Sequence, residues 1–313
     1  MPDSDRSPAP ILVALDPELP GEGAERLART LADAHGTGVV LATVFPLIDL
    51  HTRVSARHFE RVLREEADRF LAGRAERWRA ESPDIAVDTR TIGSPSAAHG
   101  LHRLARESGA AMVVVGPSRR HGAGLTFPGP MAMRFAHAAP CPVVVAAGRI
   151  PEHLDRIGAG FVPADDGRAA LRVAAALAER CGATLRAISV AGALPWMDVI
   201  QPEFEGATLP KLFAGHLAFE LAQAVDGLPA GLTVEADTLV GNPVEVLAEA
   251  SAELDLLVCG SRGHGPLGEV VLGSTSHDLL EAAQCPVLLV PRAGRRADEP
   301  PQARESQSRS LSA

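Results

Sequence analysis

An internal duplication limits this fold more than any other feature of the chain. Residues 139–146 read APCPVVVA, and residues 283–290, 144 positions later, read AQCPVLLV. MVVVG, ending at Gly116, returns as LLVCG, ending at Gly260, with the same offset. TIGSP around Gly93 returns as LVGNP around Gly241, and a helical pattern closing at Gly36 returns as one closing at Gly182. Landmarks in one order with nearly constant offsets mean a tandem repeat, so whatever fold one half adopts the other must share. The expected units are residues 1–148 and 155–292. Residues 293–313, rich in Arg, Ser, Pro and Glu, have too little apolar surface to fold and are expected to be disordered.

Within each half, apolar runs alternate with helical patterns. ILVAL (11–15) is a short run apolar at every position. Ala24, Leu27, Ala28, Leu31 and Ala32 then recur at helical spacing, and a glycine at position 36 supplies a helix stop. VVLATVF follows, then a charged stretch from about 55 to 79 whose Phe59, Leu63, Ala67 and Leu71 form an apolar stripe beneath a solvated face. IAVDTRTI, a helix over 97–107, AMVVVG, a glycine-proline loop and CPVVVA complete the half. Strands apolar on both faces belong to parallel sheets covered by helices, and alternating β and α units give a doubly wound α/β sheet. Ligands of such sheets bind beyond the carboxyl ends of the strands.

Composition narrows the partners. The 313 residues carry a formal net charge of −9, and Lys211 is the only lysine. With no basic patch, nucleic acid is not expected as a partner. No apolar run approaches the ~18 residues of a spanning helix, and MPDSDRSPAP lacks the apolar core of a secretory signal. Cys141, Cys181, Cys259 and Cys285 form no C-x-x-C pair. A cytoplasmic protein without membrane contact is the expectation.

LLVCG runs on from Gly260 as GSRGHGPLGEVVLGSTS, with glycines at 260, 263, 265, 268 and 273. Glycines let backbone N–H groups close around an anion. Ser274, Thr275 and Ser276 can cap a following helix, with Thr275 and Asp278 spaced as a capping box, and a helix N-terminus favours phosphate. Arg262 adds a fork of donors. The loop has no Gly-Lys-Ser/Thr, so it is not a Walker A loop, and it follows the fourth strand rather than the first, unlike a dinucleotide fingerprint. Glycine content alone is equally compatible with a capped crossover that holds no ligand.

The spacing Gly260-x2-Gly263-x9-Gly273-Ser274 resembles the G-x2-G-x9-G-(S/T) motif of the universal stress protein family in its ATP-binding branch. ILVALD, the G-x-P after the third strand and the repeated CPV are similar too, so the resemblance covers both halves. It implies a five-stranded parallel sheet per half, ATP with or without Mg2+ as ligand, and a cytoplasmic stress-response role without one fixed reaction. Carried over, Gly260, Ser261, Arg262, Gly263, His264, Gly265 and Pro266 would wrap the phosphates, Gly273, Ser274 and Thr275 would close the cradle, and Gly160 and Val162 would meet the nucleoside. Asp16 and Gly116 are the weaker counterparts in the first half.

The halves depart from the pattern differently. Asp16 ends the first strand of half one, but Val162 stands there in half two, which implies looser base discrimination. Asp165 and Asp166 lie just beyond as candidate substitutes for that acid, although loop acids after a strand are more often turn formers. In half one Arg119 replaces the second glycine and Pro130, which has no N–H, replaces the serine. The expectation is one nucleotide per chain, in half two. A nucleotide-dependent regulatory module is the leading reading. The alternatives are a slow ATPase or adenylate-forming enzyme, for which Glu269 and His264 show no supporting constellation, and an ATP-independent scaffold. The two CPV strands, as apolar edges, are expected to join the halves in an intramolecular pseudo-dimer, with homodimers of whole chains a further option.

Overall fold

Runs of branched residues buried on both sides make the central strands. The computed structural model describes residues 8–19, 21–47, 53–117, 119–120, 126–192, 208–261 and 273–291. The first half runs β1 (Ile11–Ala14), α1 (Glu22–His35), β2 (Val39–Pro46), α2 (Arg53–Glu81), β3 (Val87–Ser94), α3 (Ala97–Glu107), β4 (Met112–Val115), the two-residue strands β5 (Arg119–Arg120) and β6 (Thr126–Phe127), α4 (Pro130–Ala136) and β7 (Val143–Val145). The second runs β8 (Arg156–Phe161), α5 (Asp165–Cys181), β9 (Thr184–Ala191), α6 (Thr208–Asp226), β10 (Val234–Val240), α7 (Pro243–Ala250), β11 (Leu256–Gly260), α8 (Ser274–Ala282) and β12 (Val287–Val290).

Each half is a parallel sheet, ordered β3-β2-β1-β4-β7 or β10-β9-β8-β11-β12. The expected pairing of the fifth strands is present. β7 and β12 run antiparallel, with Val144 opposite Leu288, and fuse the halves into one 10-stranded sheet. One apolar layer lies between the sheet and α1, α2, α5 and α6, and the other between the sheet and α3, α4, α7 and α8. Both layers cross the seam, since Val144 and Leu288 belong to the first and Val143, Val145, Val287 and Leu289 to the second.

The helix ends follow the residues. Gly36 and Gly182 close α1 and α5 in the left-handed region, at φ 59° and 67°, which a side chain would strain. In α2 the buried stripe is Ala67, Leu71, Ala75 and Trp78. Phe59, expected within it, is 39% exposed, because the N-terminal part of this long helix extends past the core.

Matched helices carry reversed charges. Arg74 on α2 binds Glu25, buried in α1, through its Nε at 3.1 Å and approaches Glu22 at 3.5 Å. In the second half Arg168 occupies the position of Glu22 and Glu220 that of Arg74, and the two pair at 2.7 Å. Burial drives the Glu25 pKa up and the Arg74 charge pulls it back in part. Among the described residues no helix is long and apolar enough to cross a membrane. The tail at 293–313 lies outside the described residues.

The connection between halves turns at Gly148, φ 72°, where an added Cβ would sit 2.4 Å from the Gln284 carbonyl oxygen. The next amide, Arg149 N–H, donates to that same oxygen at 2.7 Å. Gly148→Ala is therefore expected to destabilise the chain by more than the ~1–2 kcal/mol of a left-handed side chain alone. Denaturant titration checks this, and an unchanged midpoint would show that the seam relaxes freely.

Candidate functional site

A cavity of about 380 Å³ opens at the carboxyl ends of the second-half strands. The end of β8 contributes Gly160, Phe161, Val162 and Pro163, and the end of β11 contributes Cys259 and Gly260. Thr275, Ser276 and Leu279 of α8 form one side, and Phe213, His216 and Leu217 of α6 another. Ile188, Leu247, Cys259 and Leu279, all nearly inaccessible, line it as well, so the cavity reaches from the strand ends into the apolar layer. Its wall is mostly apolar, with Asp166, His216 and the α8 hydroxyls as the polar exceptions.

Gly160, Val162, Gly260 and Thr275, four of the residues that the resemblance singles out, line this one cavity. Ser261 adjoins it in sequence. It is buried, its N–H donates to the Val290 carbonyl, and its hydroxyl has no hydrogen-bond partner among the described residues. Arg262, Gly263, His264, Gly265 and Pro266 lie outside the described residues.

The helix start differs from the expected capping box. Gly273 is the N-cap, in extended conformation, with no side-chain cap, and Ser274, Thr275 and Ser276 form the first turn. The reason is one of register. The chain enters the helix two residues earlier than a Thr275 cap requires, which leaves Ser276 Oγ to donate to the Gly260 carbonyl at 3.2 Å. That bond ties the start of α8 to the end of β11. The first amides of α8 have no carbonyl behind them in the helix and face the loop side.

In the first half Asp16 is exposed and accepts the Glu18 N–H at 2.9 Å, a local turn bond. Gly116 follows β4. The wall that is open in the second half is built there from bulkier residues. The pair Gly160 and Cys259, in register on β8 and β11, corresponds to Ala14 and Val115 on β1 and β4. Leu279, six residues after the N-cap of α8, corresponds to Phe135, six after Gly129, whose ring is fully buried. Pro130 takes the place of Ser274, removing an N–H and a hydroxyl together.

Several wall residues were not legible beforehand. Ile188, Leu247 and Leu279 carry nothing in residue type or spacing that sets them apart from other apolar positions. For Asp166 the sequence leaves open a substitute acid or a turn former; it lies in the first turn of α5 and is buried, which is not a loop turn. Cys259 faces the cavity as an inert thiol, since burial pushes its pKa up to about 12 despite a backbone hydrogen bond involving Gly160 that acts the other way.

Comparisons with known proteins agree with this architecture. The chain matches the Universal stress protein family over residues 9–147 and again over 154–291. A universal stress protein of Thermus aquaticus is 35% identical over 129 residues, covering 40% of this chain and 90% of that protein. One from Mycobacterium tuberculosis H37Rv is 36% identical over 73 residues, 23% of this chain and 25% of its own length. Among solved structures, a universal stress protein of Archaeoglobus fulgidus superposes with TM-score 0.62 at 18% identity, covering 90% of this chain and 96% of that one. A protein of unknown function from Pseudomonas aeruginosa PAO1 also gives 0.62 at 18%, covering 91% and 92%. With two matched repeats accounting for nearly all of its folded length, the chain belongs to the universal stress protein family.

Proposed function

We propose that this chain binds ATP in its second half and acts as a nucleotide-dependent regulatory module in the stress response. The observation that carries the reading is the second-half cavity, which joins an apolar recess to the start of α8 at the carboxyl end of a parallel sheet. A recess between Val162, Ile188 and Leu247 suits a purine ring. Gly260, the α8 amides and Thr275 would hold phosphates, with Arg262 and the glycines of the adjoining loop completing the set. Mg2+, where present, would travel with the phosphates. The reading is one of binding rather than turnover, because among the described residues the cavity wall offers an inert thiol and no nucleophile paired with a base.

The first half is not proposed as a second site, since Pro130 withdraws donors and Phe135 fills the matching position. Equilibrium dialysis with labelled ATP is expected to give one nucleotide per chain. Gly263→Asp should abolish binding by adding a charge and bulk beside phosphate, whereas Ser274→Ala should weaken it by about ten- to a hundredfold at most. Two equivalent sites, or a site indifferent to Gly263→Asp but lost in Asp16→Ala, would move the function to the other half.

A second experiment rebuilds the first-half wall in the second. The combination Gly160→Ala, Cys259→Val and Leu279→Phe introduces the trio that already packs around Ala14, Val115 and Phe135. The variant should stay folded by circular dichroism and lose about tenfold or more in nucleotide affinity. Full retention of affinity would show that the recess is not where the base sits.

A further inference from the structure

The second-half cavity has one feature that an apolar recess does not need. Asp166 is 8% exposed, lies on the cavity wall, and its Oδ2 has no hydrogen-bond partner among the described residues. An unpaired buried carboxylate oxygen is costly, and native structures seldom keep one without a use. The position is built with care. A Cβ on Gly167 would fall 2.2 Å from the Val162 carbonyl oxygen, and one on Gly260 would fall 2.7 Å from that of Asp166. Two glycines thus let the first turn of α5 press onto the ends of β8 and β11, which places Asp166 on the cavity wall. The helix dipole does not explain its burial, because Asp165 occupies the same turn from an exposed position. The nearby Arg168 guanidinium is held by Glu220 at 2.7 Å. Ser261, next to Gly260, adds a second buried polar atom without a partner among the described residues.

We propose that this cavity selects a ligand with a flat apolar body that carries an N–H donor, and that the donor pairs with the Asp166 carboxylate. Asp166 would then supply, from the start of a helix, the acid that Val162 does not provide at the strand end. This rests on the nucleotide reading and deepens it. A purine with a 6-amino group offers the donor, while a 6-oxo purine turns a lone pair toward the carboxylate and is rejected. The looser base discrimination implied by Val162 is thereby replaced by a preference set four residues later.

The test uses the full chain and two pairs of probes, adenosine against inosine and ATP against inosine triphosphate, by calorimetry. Wild type should prefer the 6-amino member of each pair by about ten- to a hundredfold, the range of a hydrogen bond to a charged group. Asp166→Asn keeps the shape but presents an amide N–H, so the preference should collapse or invert. Asp166→Ala should remove it, and Asn stands alone should Ala fail to fold. Equal affinities in wild type, or an unchanged ratio in Asp166→Asn, overturn the assignment while leaving a phosphate cradle in place if the triphosphates bind tightly. ATP binding no better than adenosine sinks the cradle and leaves the Asp166 assignment standing. Binding of none of the four overturns both.

Discussion

The antiparallel pairing of β7 with β12 is the contact on which the rest of the molecule depends. Each is the last strand of a five-stranded parallel sheet, apolar at every position and, alone, an exposed edge ready to pair with anything extended. Setting Val145, Val144 and Val143 opposite Val287, Leu288 and Leu289 satisfies both edges within one chain and lets both apolar layers run through the seam. The linker must therefore turn tightly at Gly148 and lie against Gln284.

Antiparallel pairing also sets where function can lie. The five sheet strands of one half run with β7 and the five of the other with β12, so their carboxyl ends emerge at opposite ends of the common sheet. Two ligand sites of this fold cannot share a ligand or a loop, and each was free to change without the other. The structure records that freedom. Ala14, Val115 and Phe135 make a denser wall than Gly160, Cys259 and Leu279, and Pro130 withdraws donors that Ser274 keeps. The reversed ion pair, Glu22 and Arg74 against Arg168 and Glu220, shows the same drift where only complementarity had to be preserved.

What was legible in the residues was what depends on local chemistry. Gly36 and Gly182 announced helix ends because only glycine enters the left-handed region cheaply, and the α3 boundaries follow from apolar spacing alone. The capping box at Thr275 failed because a spacing rule cannot see that Gly273 already starts the helix and that Ser276 bonds to Gly260 instead. Phe59 failed for a related reason, since periodicity names a face of α2 but not how far the core beneath it extends.

The sequence by itself determined the duplication, the alternation of buried strands with amphipathic helices, and the asymmetry between a glycine-and-hydroxyl loop in one half and an arginine-and-proline loop in the other. Those are properties of residue type and spacing along the chain. Only the tertiary structure decided that a recess lies at the ends of β8 and β11 and that Asp166 lines it. A cavity is set by what does not fill a space, and the absent volume at Gly160, Cys259 and Leu279 comes from three elements far apart in sequence. The burial of Asp166 likewise depends on a helix start pressed against two strand ends by glycines almost a hundred residues apart.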